Sequence, residues 1–502
     1  MNYESVEQAL EQLHKLGRMQ AAYHHALGLL DLDGATAAPS DSWEGRGVTM
    51  GVLSEAVYQL IAKPENGALI AYLKEHEAVL DEMEKRELEL IAKSYAQLYR
   101  IPQEEYVAYN ILLNDAQAIW EKAKSADDFS LFQPYLEQIV AYNKKFAGYY
   151  DPELAPYDAL LNEYEEGMTM EVLDAFFAQL RSAIVPLLDQ IRNQQNNEHP
   201  FLHRNYPAER QREFSEYLMD VMGLDRACCS ISESEHPFTT NFNNRDVRIT
   251  THYHQENMLP SMFSVIHEGG HALYELNADP KFNYTALYGG VSMGIHESQS
   301  RFYENLIGRS EAFIRGIFPK AKELFPEQLA DVDEDQFYRA VNRAEASLIR
   351  IEADELSYSL HIMVRYEIEK QLIGGTLEVK DVPAEWNRLY KEYLGLDVPS
   401  DSMGCLQDIH WAGGSIGYFP SYALGSAYGA QMLKTMENEL GDIWSDVEQG
   451  DLSRITLWLK EHIHRYASLK KPGRLFEDAC GKFDAKYYTD YLTEKFTKLY
   501  DL

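Results

Sequence analysis

The sequence is poor in cysteine and in basic residues, and it has no long apolar run. Only four of its 502 residues are cysteines, and none belongs to a CxxC pair. This usage indicates a reducing compartment without a disulfide framework. No stretch approaches the roughly eighteen apolar residues of a membrane span, and the polar, acidic start of the chain has no signal-peptide pattern. We therefore expect a cytoplasmic protein with no membrane partner.

Basic residues are clearly outnumbered by acidic ones. Lysine and arginine total 46, aspartate and glutamate total 80, and the formal net charge is -34. A charge of this size and sign disfavours nucleic acid and anionic membrane surfaces as partners. Its main effect is on solubility, and it favours cationic over anionic ligands only weakly.

Helical periodicity is what the sequence has in abundance. Segments rich in Ala, Leu, Glu and Lys alternate with short polar breaks, which is typical of an antiparallel helical array. We predict a mainly α fold, a large helical bundle in which one long helix covers 335–371. Alternating β-branched residues over 247–253 predict a strand in a small β element of two or three strands. The stretch 193–200 is the most linker-like, but helical composition continues on both sides, so we treat 1–502 as a single catalytic unit. Its two halves are a helical N-terminal half, 1–230, and a half with the metal-binding pattern, 231–502.

The second half contains a His-Glu-x-x-His pattern inside a predicted helix. Residues at i and i+4 project from one face of a helix, so His267 and His271 can direct two imidazoles at one ion. Glu268 lies about 100° round the helix and can reach a water on that ion without being a ligand. Two histidines with a flanking glutamate are the zinc-peptidase arrangement. Gly269 and Gly270 each cost a helix about 1 kcal/mol relative to Ala, which indicates that substrate or a packed neighbour approaches the backbone there.

A catalytic zinc ion takes three protein ligands and keeps one position open. Glu297 is the best candidate for the third ligand, because it lies in its own predicted helix after a Gly-rich loop. Glu304 is the runner-up. A third histidine in the pattern HExxHxxGxxH is absent, since positions 274 and 277 are Tyr and Asn. His296 adjoins Glu297 but is expected to point to a different face.

The expected chemistry follows from such an ion. Zinc lowers the pKa of bound water towards about 7 and polarises the scissile carbonyl. Glu268 would take the proton of that water and deliver it to the leaving amine. A tyrosine hydroxyl or a histidine could stabilise the oxyanion. Spacing and chemistry thus indicate a metallopeptidase without saying where in a peptide it cuts.

Six short motifs, in this order along the chain, resemble those of the carboxypeptidase Taq family of zinc metallocarboxypeptidases. They are His236-Pro237-Phe238, Asp246-x-Arg248-x-Thr250, His267-Glu268-Gly269-Gly270-His271, His296-Glu297-Ser298-Gln299-Ser300, Ile349-Arg350-x-x-Ala353-Asp354 and Gly404-x-x-Gln407-Asp408-x-His410-Trp411. The central motif occurs in many peptidases, whereas the set of six is specific. Residues 30–36 depart from the Trp-Asp-containing stretch that the family usually has near the N-terminus.

The resemblance implies an almost wholly helical fold with a deep central cleft, usually as a homodimer. It implies zinc, or sometimes cobalt, one ion per chain, held by His267, His271 and Glu297. It also implies release of single C-terminal residues from peptide substrates with broad specificity, poor at a C-terminal proline.

Arg350 is the position that the resemblance assigns to the substrate's terminal carboxylate. A planar guanidinium can hold a carboxylate through two hydrogen bonds, as an exopeptidase requires. The alternative is an ordinary ion pair within a helix, with Glu352, Asp354 or Glu355.

Five further residues are candidates for contact with the substrate or the transition state. His410 and Tyr422 are candidate catalytic donors, and His236, Arg248 and Tyr418 are candidate substrate-binding residues. Each could instead be a packed, hydrogen-bonded residue, and Arg248 could form a structural pair with its neighbour in the DxRxT motif.

Two other functions stay open. A related helical zinc endo-oligopeptidase would cut internally and would not need Arg350 as a carboxylate clamp. A non-enzymatic scaffold with the same fold would have no need of Glu268. Peptides with an amidated C-terminus separate the first alternative from a carboxypeptidase.

Overall fold

The computed structural model describes residues 3–192, 194 and 199–502. Within these residues lie twenty α-helices and one three-stranded sheet. The prediction of a mainly α fold with a small β element is therefore confirmed. Most of the linker-like stretch 193–200 falls outside the described residues. In the part of the chain that is described, no helix is both long and apolar enough to cross a membrane.

Nine helices precede the sheet, joined by short turns. They are α1 (Val6–Thr36), α2 (Trp43–Ile61), α3 (Pro64–Glu75), α4 (Glu82–Arg100), α5 (Gln103–Ala126), α6 (Phe129–Tyr150), α7 (Pro156–Tyr164), α8 (Met170–Arg192) and α9 (Ala208–Val221). Several begin at the residues that favour a helix start. Asp81 and Glu84 form a reciprocal capping box at α4, and a proline occupies the first turn of α3 and of α7.

The sheet has the strand order β1-β3-β2, from β1 (Cys229–Glu233), β2 (Thr239–Asn243) and β3 (Asp246–Thr251). β1 runs parallel to β3, with Ile231 opposite Ile249, and β2 runs antiparallel to it. β3 and β2 both pack against the next helix, so the sheet flanks the element that carries the metal-site histidines.

Eleven helices follow the sheet. They are α10 (Leu259–Leu276), α11 (Met293–Arg301), α12 (Glu311–Leu324), α13 (Glu334–Val341), α14 (Tyr358–Gly374), α15 (Val382–Leu394), α16 (Pro420–Leu440), α17 (Trp444–Glu448), α18 (Ser453–His462), α19 (Pro472–Cys480) and α20 (Lys486–Tyr500). Ser292 accepts a hydrogen bond from the Ile295 N–H and so caps α11. Glycines in the left-handed conformation, Gly375 and Gly395, end α14 and α15.

The prediction of one helix over 335–371 is wrong. α13 ends at Val341, and the chain to Tyr358 has only a short 3-10 turn at Arg350–Glu352. The backbone in between is held by side chains from elsewhere: the Ala344 N–H donates to the Tyr500 hydroxyl, and the Glu345 N–H donates to Asp354. These acceptors replace the helical ladder and let Arg350 leave the helix direction.

The two glycines of the His-Glu-x-x-His pattern are close to packed neighbours. A Cβ atom on Gly270 would lie 2.6 Å from the Gln299 carbonyl oxygen of α11, and one on Gly269 would lie 2.6 Å from the sulfur of Met222. The prediction that something approaches the backbone there is confirmed, with packed neighbours as the cause. Gly270 allows α10 and α11 to cross closely, and this crossing sets the distance between the two histidines and Glu297.

Candidate metal and active site

Three side chains from two crossing helices form a candidate metal centre. His267 and His271 on α10 and Glu297 on α11 each offer one atom, and these atoms lie within 4.8 Å of one another. The Nε2 atoms of His267 and His271 lie 3.9 and 3.6 Å from Glu297 Oε2. The side chains are 19, 15 and 9 % exposed, so the centre is recessed but reachable. Two imidazoles and one carboxylate fit a divalent ion such as zinc with one position left open.

The outward-facing atoms of His267 and Glu297 are held by charged partners. His267 Nδ1 lies 2.8 Å from Glu304 Oε2, and Arg301 donates from Nε to Glu297 Oε1 at 2.8 Å and from Nη1 to Glu304 at 3.2 Å. Burial opposes ionisation of Glu304, but Arg301 and the bond to His267 hold its pKa well below its usual range. Glu304, the runner-up for third ligand, thus lies outside the ligand trio and orients His267 instead.

His271 is held differently. Its Nδ1 lies 2.6 Å from Nδ1 of His296, and Nε2 of His296 lies 2.8 Å from Glu275 Oε1. The prediction that His296 points away from the site is wrong. It adjoins Glu297 in sequence, yet its ring turns back to α10.

Glu268 lies beside the trio and is almost fully buried. The hydroxyl of Thr239 on β2 donates to its Oε2 at 2.6 Å. Burial raises the pKa of Glu268, against the lowering effect of His267. A raised pKa suits a carboxylate that must accept a proton near neutral pH.

Arg350 is buried and paired with an acid far along the chain. Its Nε and Nη2 donate to Asp408 Oδ1 at 2.9 and 2.8 Å, and Nη1 donates to the Tyr358 hydroxyl at 3.2 Å. The alternative of an ion pair within a helix is therefore wrong. Arg365, which is fully buried, donates from Nε to the other oxygen of Asp408 at 2.7 Å. Asp408 thus lies between two guanidiniums, which hold its pKa well below its usual range in spite of its burial.

His410, Tyr418 and Tyr422 form one aromatic cluster next to Arg350. The Nε2 atom of His410 lies 3.2 Å from the Tyr422 hydroxyl, and the rings of Tyr418 and Tyr422 are 5.0 Å apart. The Arg350 guanidinium lies 5.2 Å from the Tyr422 ring centre. Burial lowers the pKa of His410 to about 4 and raises the pKa of Tyr418 to about 12 and that of Tyr422 still further. The charge of Glu297 adds to both tyrosine shifts, so the cluster faces the metal centre.

The remaining two candidates lie around β2. Arg248, on β3, donates from Nε and Nη2 to the two oxygens of Asp246, both at 2.9 Å, and its guanidinium lies 5.1 Å from the Phe242 ring centre. The structural pair weighed for Arg248 is thus present. His236 lies in the exposed turn between β1 and β2, where its carbonyl accepts from the Ser234 hydroxyl.

Sequence reasoning missed four residues of this site. They are Arg301, Glu275, Thr239 and Arg365. Two of them had a signal in the spacing, because Arg301 follows Glu297 by four residues and Glu275 follows His271 by four, which puts each pair on one helix face. The other two depend on contacts between separate elements, for which one sequence carries no signal.

The comparisons with known proteins cover almost the whole chain. A model of the carboxypeptidase Taq (M32) metallopeptidase family matches residues 12–496. Carboxypeptidase 1 of Bacillus subtilis is 42 % identical over 95 % of this chain and 96 % of its own length, and thermostable carboxypeptidase 1 of Pyrococcus furiosus is 36 % identical over 98 % of each. The crystal structure of an M32 carboxypeptidase from Deinococcus radiodurans superposes with a TM-score of 0.95, at 36 % identity, over 98 % of this chain and all of its own.

Proposed function

Because the chain belongs to the carboxypeptidase Taq family of metallopeptidases, we propose that this metallocarboxypeptidase releases single C-terminal residues from peptides with broad specificity. The observation that carries the proposal is the meeting of His267, His271 and Glu297, with Glu268 beside them. We propose zinc as the ion, one per chain, with cobalt able to replace it. A bound divalent ion would supply Lewis acidity for the scissile carbonyl and for the attacking water.

Glu268 is the proposed general base. Its raised pKa makes the carboxylate a better proton acceptor than an exposed glutamate. The Thr239 hydroxyl holds Oε2, which leaves Oε1 to accept the proton of the attacking water. The same carboxyl group then delivers this proton to the leaving amine.

Tyr422 and His410 are the proposed donors to the oxyanion. Both keep their neutral form near pH 7, because burial raises the tyrosine pKa and lowers the histidine pKa. When His410 Nε2–H donates to the Tyr422 oxygen, the Tyr422 O–H is free to donate to the substrate. Tyr418 packs edge-on against Tyr422 and is the proposed wall of the same subsite.

Arg350 is the proposed partner of the substrate's terminal carboxylate. Its Nε and Nη2 already donate to Asp408, so an incoming carboxylate would meet the Nη1 edge, beside the Tyr358 hydroxyl. Arg350, Arg365 and Asp408 together carry one excess positive charge. A second carboxylate would neutralise this buried charge, which supports an anionic end group as the ligand.

His236 and Arg248 are proposed contacts for the upstream part of the peptide. Both lie next to β2: His236 precedes it in the turn, and Arg248 is the register partner of Thr240. β2 also carries Thr239, which touches Glu268. A peptide that extends away from Glu268 along β2 would pass these two side chains.

We also propose that the protein is cytoplasmic and works as a homodimer. The cysteine usage supports a reducing compartment. The dimer is supported by α2, where Val48 and Val52 are two-thirds exposed one helical turn apart. Copies that each carry a charge of -34 repel one another, so an uncharged surface of this kind is the contact they would use.

Two synthetic peptides of one sequence test where the cut falls. One has a free C-terminal carboxylate and the other a C-terminal amide. The proposal expects stepwise loss of single residues from the acid, seen by mass spectrometry, and a value of kcat/KM roughly 100-fold lower for the amide, because a charged hydrogen-bonded pair is lost. Arg350→Met should slow cleavage of the acid by a similar factor. The matched control Arg388→Met, at an exposed arginine paired with Glu385, should leave the rate unchanged.

The endo-oligopeptidase alternative makes the opposite prediction. It expects internal fragments, at equal rates from the acid and the amide. Removal of the ion by a chelator and Glu268→Gln should each slow the reaction by at least ~100-fold, and added zinc should restore only the chelated protein. Unchanged hydrolysis by Glu268→Gln would reject both enzyme functions and leave the scaffold.

A further inference from the structure

The two histidines of the metal centre have different outer partners. His267 Nδ1 meets the carboxylate of Glu304 directly, and Glu304 is already shared with Arg301. His271 Nδ1 instead meets another imidazole, His296, at 2.6 Å. A ligand histidine whose outer nitrogen meets a second histidine is the unusual half of this site, because a carboxylate or a carbonyl is the common partner.

The hydrogen bonds around His296 can be assigned a consistent direction. Nε2 of His271 faces Glu297, so its proton is on Nδ1 and is donated to Nδ1 of His296. The proton of His296 is then on Nε2, which donates to Glu275 Oε1 at 2.8 Å. His296 thus connects His271 to a nearly fully buried carboxylate that lies one turn further along α10.

The surrounding structure holds His296 in this place. The Gly290 N–H donates to the same oxygen, Glu275 Oε1, at 3.0 Å. A Cβ atom on Gly290 would collide with the His296 ring and would lie 2.8 Å from the Tyr274 ring. The Tyr274 hydroxyl in turn accepts from the Val291 N–H at 3.2 Å. The glycine loop before α11 is therefore closed down on the imidazole, and no larger residue would fit at 290.

We propose that His296 is a positioning residue of the metal centre, which fixes the tautomer and ring orientation of His271 through its link to Glu275. Without His296, the Nδ1–H of His271 would lose its acceptor, and the ring could rotate its Nε2 away from Glu297. The loss would fall on ion binding, not on the fold, because the His296 side chain is 23 % exposed and makes its polar contacts within this chain of groups. The inference rests on the proposed metal site and is independent of which peptide is cut.

Zinc affinity of the full-length protein, measured by titration of the zinc-loaded form with a chromophoric chelator, tests the proposal. His296→Leu removes the acceptor and should weaken zinc binding ~10–100-fold, the usual effect of losing an outer partner. His296→Asn places an amide oxygen near the position of Nδ1 and should recover a large part of this loss. Glu275→Gln breaks the far end of the link and should give a smaller loss. The matched control His462→Leu, at a histidine stacked on Trp458, should bind zinc as the parent does.

Two further measurements separate this role from a purely structural one. The apparent Tm of the metal-free variants should stay close to that of the metal-free parent. The visible spectrum of the cobalt-loaded protein should change in His296→Leu and return towards the parent spectrum in His296→Asn.

Parent affinity in both His296→Leu and Glu275→Gln would overturn the inference, and so would equal losses in His296→Leu and His296→Asn. A parent protein that binds no zinc would instead reject the proposed metal site itself.

Discussion

Two fully buried glutamates outside the metal centre have the same raised pKa but different surroundings. Burial raises the pKa of Glu165 and of Glu369 to about 7 in each case. Glu369 accepts from the Trp411 indole on Oε1, and from the Tyr157 hydroxyl and the Gly417 N–H on Oε2. It thereby anchors the loop that carries His410 and Tyr418.

We expect Glu369→Gln to destabilise this loop. Both oxygens of Glu369 face donors that cannot reverse, the indole and the backbone N–H, so the amide nitrogen of glutamine would leave one donor without an acceptor. The cost is about 1–3 kcal/mol. A lower apparent Tm together with a raised KM for peptides would agree with this, whereas a raised Tm would contradict it.

Glu165→Gln should behave in the opposite way. Its Oε2 accepts from the Gly294 N–H, and its Oε1 faces the Tyr428 hydroxyl, which can rotate to accept from an amide. Because the native pKa is raised above the model value of 4.5, the contribution of Glu165 to stability is complete below pH 4.5 and is lost as the pH rises to about 7.

The variant lacks this loss. The difference in unfolding free energy between variant and parent should therefore grow between pH 5 and 7, by up to about 1.4 kcal/mol per pH unit, and then level off. Apparent Tm values of both proteins at pH 5, 6, 7 and 8 check this. A difference that is constant with pH would mean that Glu165 does not titrate in this range.

At the scale of single residues, sequence reasoning found what spacing along one helix can reveal. His267 and His271 share a face of α10, and Glu297 lies on the neighbouring helix where the third ligand was expected. It could not foresee that His296 turns back to α10 or that Arg365 shares Asp408 with Arg350. Those contacts depend on how closely separate elements approach, which periodicity does not encode.

At the scale of elements, two glycines determine how α11 is placed. Gly270 allows it to approach α10, and Gly425 allows it to approach α16. A Cβ atom on Gly425 would lie 2.6 Å from Glu297 Cγ and 2.9 Å from its backbone carbonyl carbon. α11 is thus wedged between two helices directly at the residue that completes the ligand trio.

Gly425→Ala should therefore push Glu297 away from the histidines. Overpacking of this kind costs about 1–3 kcal/mol, and the displaced ligand should weaken zinc binding by roughly tenfold or more. The control is Gly429→Ala, one turn further along α16. There a new Cβ would meet the flexible end of Leu306 at 3.1 Å. Chelator titration of both variants is the measurement, and equal affinities in the two would contradict the wedge.

The elements themselves were predicted unevenly. α10 has Pro260 in its first turn and a regular apolar pattern, and it was predicted with close to its actual bounds. The predicted helix over 335–371 failed because its residues favour a helix locally, while side chains of α20 and of Asp354 capture the backbone N–H groups. Composition states the local preference, and the outcome here is decided by distant partners.

At the scale of the molecule, the apolar core is divided. One large cluster of buried side chains runs from α5 to α20 and encloses the metal centre, and a separate small cluster packs α1, α3 and α4 together. α2 contributes little to either. In its nineteen residues only Leu60 and Ile61 are buried, both at its C-terminal end. An apolar helix with so little cover within the chain is the feature that most directly suggests a partner.

A continuous surface, here named the α2–α5 surface, joins Val48, Val52 and Tyr58 of α2 to Val107 and Ile111 of α5. The rings of Tyr58 and Tyr106 stack at 5.4 Å and connect the two helices above a cavity of about 550 Å³. Val48 is 67 % exposed, Val52 64 % and Ile111 59 %. The occupant we propose is the same surface of a second copy, because a two-fold contact pairs like with like and apolar patches tolerate this where charged ones do not.

Charges introduced into the α2–α5 surface should then separate the dimer. Val52→Glu combined with Ile111→Glu would bring four buried carboxylates into a two-fold contact between chains that already repel each other. Light scattering coupled to gel filtration should give a dimer for the parent and a monomer for this variant, with zinc content unchanged because the surface lies outside the metal centre. Leu457→Glu, at an apolar residue of similar exposure on α18, is the control and should stay dimeric. A monomeric parent would reject the dimer, whereas a variant that stays dimeric would move the contact to another face.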